Sequence, residues 1–291
     1  MIIEKLTDAV RELPPMEAPN EIKQVKWSPY TSWVLAFGDA HYGAEFEVRG
    51  LSNEVLNEYN PDIFEERMKD MYLQTLDIIK KENIGELYIF DLGDQIDGML
   101  RIGQLMRLKY GVVESTIRYA EYMAQWLNAL SRVCKIYYRQ CTGNHSELRL
   151  LNGKKNVFGD ENMSKVIYHF LKIRLEHNPN IYFKDNPTGM IFEQLSGYNI
   201  LAFHGESKNL EKSIKDFTFM YDVSIDILIA GHLHHSFNET VGVNVDVMRT
   251  PSIVGVDDYS MKLNKTSNAG ATLFSVVDGA GKSLEYHLKF N

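Results

Sequence analysis

Apolar positions along the chain follow two different periods. Short continuous runs at 34–37, 87–90, 136–138, 200–203 and 227–230 are rich in β-branched and aromatic residues and predict buried strands. Between the first two runs, Ile63, Phe64, Met68, Met71, Tyr72, Thr75, Leu76 and Ile79 recur at spacings of three and four after Pro61. That pattern predicts a helix opened by proline, and with the flanking strands a βαβ unit. Further helices are expected at about 112–131 and 158–177. Beyond residue 180 the texture changes to short segments at 189–195, 198–204, 225–230, 239–249, 271–277 and 283–289, with Gly197 and Asp278-Gly279 as turn signals. Residues 1–30, holding Pro14, Pro15, Pro19 and Pro29, read as a loosely structured lead-in. A mixed α/β half followed by a β-rich half predicts two packed sheets with helices outside.

Each of the five apolar runs ends in a polar motif. In order these are Gly38-Asp39-Ala40-His41, Gly93-Asp94-Gln95-Ile96-Asp97, Gly143-Asn144-His145, His204-Gly205-Glu206 and Gly231-His232-Leu233-His234. Open α/β folds place their sites on loops at strand ends. Singly, each motif has a plain alternative. Asp94 and Asp97 could form a turn with a helix N-cap, Asn144 could favour a left-handed turn, and His204 could be a hydrogen-bonded core residue. His232 and His234 would alternate along an extended segment and so point the same way. Taken together, two carboxylates, an amide and four or five imidazoles form the donor set of a dinuclear metal site.

Composition narrows the setting. A chain of 291 residues with 44% hydrophobic content can bury a sizeable core, and 1–291 is expected to form one domain. No window approaches 18 consecutive apolar residues, so no membrane span is expected. The start, Met1-Ile2-Ile3-Glu4-Lys5, lacks the basic-then-apolar order of a secretory signal. Cys134 and Cys141 flank one strand, about 20 Å apart along it, too far for a disulfide, and a reducing cytoplasm is the expected compartment.

The net charge of −8 argues against indiscriminate nucleic-acid binding. Three stretches nevertheless carry bases without acids: 98–113 with Arg101, Arg107 and Lys109; 148–157 with Arg149, Lys154 and Lys155; and 259–270 with Lys262 and Lys265. They read either as solvated faces or, with Tyr110 and Tyr259 interleaved, as a groove for a polyanionic strand.

The order DxH, GDxxD, GNH, lone His and GHxH resembles that of the calcineurin-like metallophosphoesterase superfamily, over roughly residues 33–235. The resemblance implies an α/β fold, a four-layer α/β/β/α sandwich of two mixed β-sheets flanked by helices. It assigns Asp39, His41 and His234 to one ion and Asn144, His204 and His232 to a second, with Asp94 bridging. It also implies a bridging hydroxide as nucleophile, His145 as general acid and Asp97 as the carboxylate paired with it. Mixed nitrogen and oxygen donors suit Mn²⁺ first, with Fe or Zn²⁺ as alternatives. Two such ions against Asp39 and Asp94 leave a local charge of about +2, which attracts phosphate even in an acidic protein.

The protein serine/threonine phosphatases of this superfamily follow GDxxD with a phosphate-clamping arginine, where Gly98 stands here, and Ser146 separates His145 from the acid Glu147. These departures favour the phosphodiesterase and nuclease branch, acting on DNA or RNA, with Arg101, Arg107, Lys109 and Arg149 as substrate-binding candidates. The whole chain also resembles compact metallophosphoesterases of phage and prophage genes. A phosphomonoesterase or protein phosphatase, and a catalytically silent metal-binding scaffold, remain as alternatives. The 98–131 segment is open to reading as a lid, an insertion, a dimer face or core. His235 is expected at the rim, and His169, His177 and His287 in structural roles.

Overall fold

All five apolar runs form strands, and their lack of alternation has a direct cause. A computed structural model describes residues 2–20, 30–98, 102–148, 161–207 and 209–290. The strands are β1 (Thr31–Phe37), β2 (Phe46–Arg49), β3 (Val55–Tyr59), β4 (Glu86–Asp91), β5 (Lys135–Gln140), β6 (Ile181–Phe183), β7 (Ile191–Leu195), β8 (Tyr198–Phe203), β9 (Ile227–Ala230), β10 (Phe237–Gly242), β11 (Val245–Arg249), β12 (Gly270–Val277) and β13 (Gly281–Lys289). The helices are α1 (Ile2–Arg11), α2 (Pro61–Glu82), α3 (Ile102–Leu105), α4 (Val112–Leu130), α5 (Met163–Arg174), α6 (Leu210–Tyr221) and α7 (Asp258–Lys262).

Two mixed sheets, ordered β13-β12-β1-β4-β5-β6 and β10-β11-β9-β8-β7, stack face to face; β2 and β3 form a separate hairpin. Val34 and Ala36 of β1, Ile200 and Ala202 of β8, and Ile227 and Ile229 of β9 fill the layer between the sheets. The alternate residues Leu35 and Phe37 pack outward in the core shared with α2, α4 and α5. On the other sheet, Leu201 and Leu228 pack outward with Leu210 and Phe217 of α6. Strands covered on both faces need apolar residues at every position. The result is the expected four-layer α/β/β/α sandwich.

Strands β1, β4, β5 and β6 run parallel in one sheet, and β8, β9 and β11 run parallel in the other. Their C-terminal ends gather the five motif loops, as the sequence predicts for an open α/β site.

Several elements depart from the sequence reading. The lead-in contains α1, whose Val10 is buried and whose Thr7 hydroxyl lies 3.1 Å from His169 Nε2 on α5. The segment expected at 239–249 is a hairpin broken after Gly242, with Asn244 at φ 57°. Within 98–131, α4 is a core helix burying Tyr119, Met123 and Leu127, so only the stretch before it can serve as a strap over the site. The helix expected over 158–177 is α5, 12 residues long, capped by Asn162, whose side chain accepts from Ser164 N.

Cys134 and Cys141 are buried free thiols, and burial raises Cys134 to about 12. Among the described residues, no helix is long and apolar enough to cross a membrane.

Candidate metal centre

The loop after β1 is zipped to the loop after β4. Asp39 N donates to Gly93 O (3.0 Å), His41 N to Asp94 O (2.9 Å) and Tyr42 N to Gln95 O (3.0 Å). Glycine at 143 lets the third loop close on the second, because a Cβ there would overlap Asp94 N and Oδ1. The space it leaves lets His145 N donate to Asp94 Oδ1 at 2.7 Å. Below this junction, Asp91 accepts from Tyr119 Oη (3.1 Å), Tyr138 Oη (2.9 Å), Gln95 Nε2 (2.9 Å) and Gly93 N (3.1 Å). Buried Arg249 ties the last two loops together by donating to Gly205 O (3.2 Å) and Gly231 O (3.0 Å).

Three clusters result: Asp39, Asp94, His204 and His232; Asp39, His41 and His234; and His41, Asp97 and His145. Within each, one ligand atom per residue lies within 4.8 Å of the others. Asp94 Oδ2 is central, 3.0 Å from His204 Nε2 and 4.0 Å from both His41 Nε2 and His145 Nε2. Asn144 Oδ1 lies 3.0 Å from His204 Nε2. All seven residues that the resemblance assigns to ions are thus brought together, with His145 and Asp97 beside them.

Their local backbone differs from the expectation for His232 and His234. These two sit at φ 68° and 53°, in left-handed turns, so no strand alternation aims them. They also face different clusters. Asp39, His41 and Asp94 share positive φ, at 53°, 43° and 52°. Side chains rarely adopt that region, and such residues concentrate at functional sites.

Two observations fit divalent cations. Asp39 Oδ1 and Asp94 Oδ2 are buried without hydrogen-bond partners among the described residues, a costly arrangement for a carboxylate left alone. In addition, His41 Nε2 and His234 Nε2 are 3.3 Å apart, and His232 Nδ1 and His204 Nε2 are 3.0 Å apart. Ligands at about 2.0–2.1 Å from one ion, at angles between square and tetrahedral, stand roughly 2.9–3.4 Å from each other.

Charge balance points the same way. Burial alone would raise the Asp39 carboxyl, but the neighbouring His234 brings it down to about 2. Burial likewise opposes protonation of His204 and His234, yet Asp94 lifts the first to about 9 and Asp257 the second to about 10. His232, penalised by burial and by His204, falls to about 4. The anionic pocket therefore holds protons where cations would sit.

His145 forms a separate unit. Its Nδ1 lies 2.6 Å from Asp97 Oδ1 and 3.2 Å from Gln104 Nε2. Burial works against its protonation, but the charge of Asp94 and then Asp97 raise it above the ordinary histidine value. Gln104, on the strap before α4, has no sequence signal beyond its place in an acid-free stretch.

Of the substrate-binding candidates, Arg107 pairs with Asp258, and Lys109 lies 3.5 Å from Glu45 and 3.7 Å from Asp62. Arg101 and Arg149, with Lys154 and Lys155, lie outside the described residues. Tyr259 is 40% exposed, its ring centroid 6.0 Å from that of His232 and 6.4 Å from that of His234. His235 is half-buried at the rim. His169 is half-buried against Thr7 of α1, whereas the His177 side chain is 91% exposed and His287 pairs with Glu285 at the surface.

No family model matches the chain. Similar solved structures include an archaeal phosphodiesterase (14% identity, TM-score 0.43, 88% of this chain and 99% of that one). A dimetal phosphatase from Danio rerio (10% identity, TM-score 0.44, 89% and 99%) and zinc-bound Vps29 from Entamoeba histolytica (12% identity, TM-score 0.39, 89% and 99%) are others. The SPbeta prophage-derived uncharacterized protein YonJ of Bacillus subtilis (strain 168) is 33% identical over 298 residues, which is 100% of this chain and 72% of that protein. The five loop motifs converge on clustered histidine and aspartate ligands in a two-sheet sandwich, the arrangement the sequence resemblance implies, and by its identity to YonJ over its whole length the chain belongs to the family of YonJ.

Proposed function

We propose that this chain is a dinuclear-metal-dependent phosphodiesterase acting on nucleic acid. The observation that carries the hydrolytic reading is the pair of ligand clusters sharing Asp39, set directly against the His145–Asp97 pair. Two divalent ions held there, Mn²⁺ by preference, would supply Lewis acidity, lowering the pKa of water and neutralising phosphoryl oxygens. The chain's own residues do the rest. His145, whose protonated form the charges of Asp94 and Asp97 favour, stands at the edge of the cluster as the proton donor to a leaving oxygen. Asp97 holds the ring's Nδ1, leaving Nε2 to face the reacting group.

The preference for a diester rests on Gly98 and Tyr259. A Cβ at Gly98 would overlap the carbonyl oxygen of His145, so a phosphate-clamping arginine cannot occupy that position on this backbone. Tyr259 instead offers an exposed ring beside the cluster, of the kind on which a base can stack. The prophage origin of YonJ fits an enzyme of phage nucleic-acid metabolism.

The test is a substrate panel with Mn²⁺-loaded protein: bis-p-nitrophenyl phosphate, p-nitrophenyl phosphate, single-stranded and duplex DNA, RNA, cyclic nucleotides and a phosphopeptide. Faster cleavage of the diester and of a polynucleotide supports the proposal. Equal or faster cleavage of the monoester, or turnover of the phosphopeptide alone, overturns the diesterase reading.

A further inference from the structure

We propose that Asp257 is a positioning residue for one of the two ions, fixing His234 so that its Nε2 faces the cluster of Asp39 and His41; this rests on the dinuclear reading above. The two nitrogens of the His234 ring have different surroundings. Nε2 lies 3.3 Å from His41 Nε2 and 3.5 Å from Asp39 Oδ1. Nδ1, on the opposite side, is buried without a hydrogen-bond partner among the described residues, and Asp257 Oδ1 is 3.4 Å away as an ion-pair neighbour. A carboxylate behind a ligating imidazole selects its tautomer, holds its plane and raises its basicity.

Asp257 is itself held in place. It is the N-cap of α7, where Oδ1 accepts from Ser260 N at 2.8 Å and its own N donates to Ser260 Oγ at 3.0 Å. The segment leading to it is tied to the first motif loop, with Ile253 N donating to Gly38 O (3.0 Å) and Val254 N to Asp39 O (3.1 Å). Helix α7 thus follows a parallel strand, β11, as a sixth loop at the same edge of the fold. The other cluster is supported differently: His204 Nδ1 lies 2.9 Å from a neutral carbonyl, Leu92 O. One histidine ligand is backed by a carboxylate and the other by an amide oxygen. The two ion sites are therefore unequal, and the Asp39–His41–His234 site depends on Asp257.

An aspartate at this place could instead serve only to cap α7. Asp257→Asn separates the two roles, since asparagine caps a helix about as well as aspartate but carries no charge. Chelator-stripped protein is titrated with Mn²⁺ alone, followed by calorimetry and by electron paramagnetic resonance for spin coupling between ions. The parent should bind two ions as a coupled pair. Asp257→Asn should keep one ion at parental affinity and weaken the other by about 10–100-fold, losing the coupled signal. Two ions bound with parental affinity by Asp257→Asn, alongside a lowered midpoint in Asp257→Ala, would reduce Asp257 to a cap and overturn the proposal. A parent that binds fewer than two ions would overturn the dinuclear reading, and this proposal with it.

Discussion

His145 Nδ1 lies 2.6 Å from Asp97 Oδ1, across 48 positions of sequence and between two different loops. Removing the ring should abolish proton donation and leave the ion ligands in place. His145→Ala is expected to lower kcat by roughly 10²–10⁴-fold with unchanged metal content. Parental turnover in that variant would argue for a different acid.

Asp97 contributes to the raised pKa of His145. Loss of its charge lowers that pKa, so the protonated, donating form disappears at lower pH. Asp97→Asn should therefore move the alkaline limb of the kcat profile to lower pH, as well as reducing kcat. An unmoved limb in a pH–rate series would contradict the pairing.

Metal and protons compete for the same nitrogens. His204 and His234, at about 9 and 10, carry protons at pH 7 in the metal-free protein, and ions must displace them. Calorimetry of Mn²⁺ binding in two buffers of different ionisation enthalpy should report release of about two protons at pH 7. Affinity should rise with pH and level off above 10. The metal-free protein has the converse dependence: these raised pKa values stabilise it most below the unfolded histidine value, and that contribution is lost as pH rises through 9–10.

Burial raises Asp91 to about 6 against its hydrogen bonds from Gly93, Tyr138, Gln95 and Tyr119. The folded state then binds this proton more tightly than the unfolded state, whose value is near 3.8. Stability from this group is present below 3.8 and is lost as pH rises through 6. Asp91→Asn lacks the titration, so its stability relative to the parent should improve by about 1 kcal/mol from pH 5 to pH 7. Urea melts of both proteins at the two pH values check this.

The glycine at 98 should be intolerant of even one methyl group. A Cβ would strike the His145 carbonyl, displacing the loop that carries Asn144 and His145. Gly98→Ala is expected to cost about 1–3 kcal/mol of stability and to reduce turnover. A variant with parental melting and rate would show that the loop yields freely.

Much of this was legible in the chain. Continuous apolar runs such as 227–230 mark strands covered on both faces, and a polar motif after each one marks the parallel sheets' C-terminal edge. Other features lie beyond the reach of periodicity. The left-handed turns at His232 and His234 belong to loop geometry, which a spacing of two cannot distinguish from a strand. Helix α7 has five residues, too few to repeat any pattern, so Asp257 goes unmarked. The stretch 98–113 is free of acids only along the sequence. In space Asp258, Glu45 and Asp62 come from distant segments to pair Arg107 and Lys109.

The most direct measurement is anomalous diffraction from Mn²⁺-soaked crystals, with elemental analysis of the same protein. Two ions per chain are expected, about 3.5–4 Å apart, bounded by Asp39, Asp94, His204 and His234. A single ion, none, or ions bound away from these side chains would contradict this.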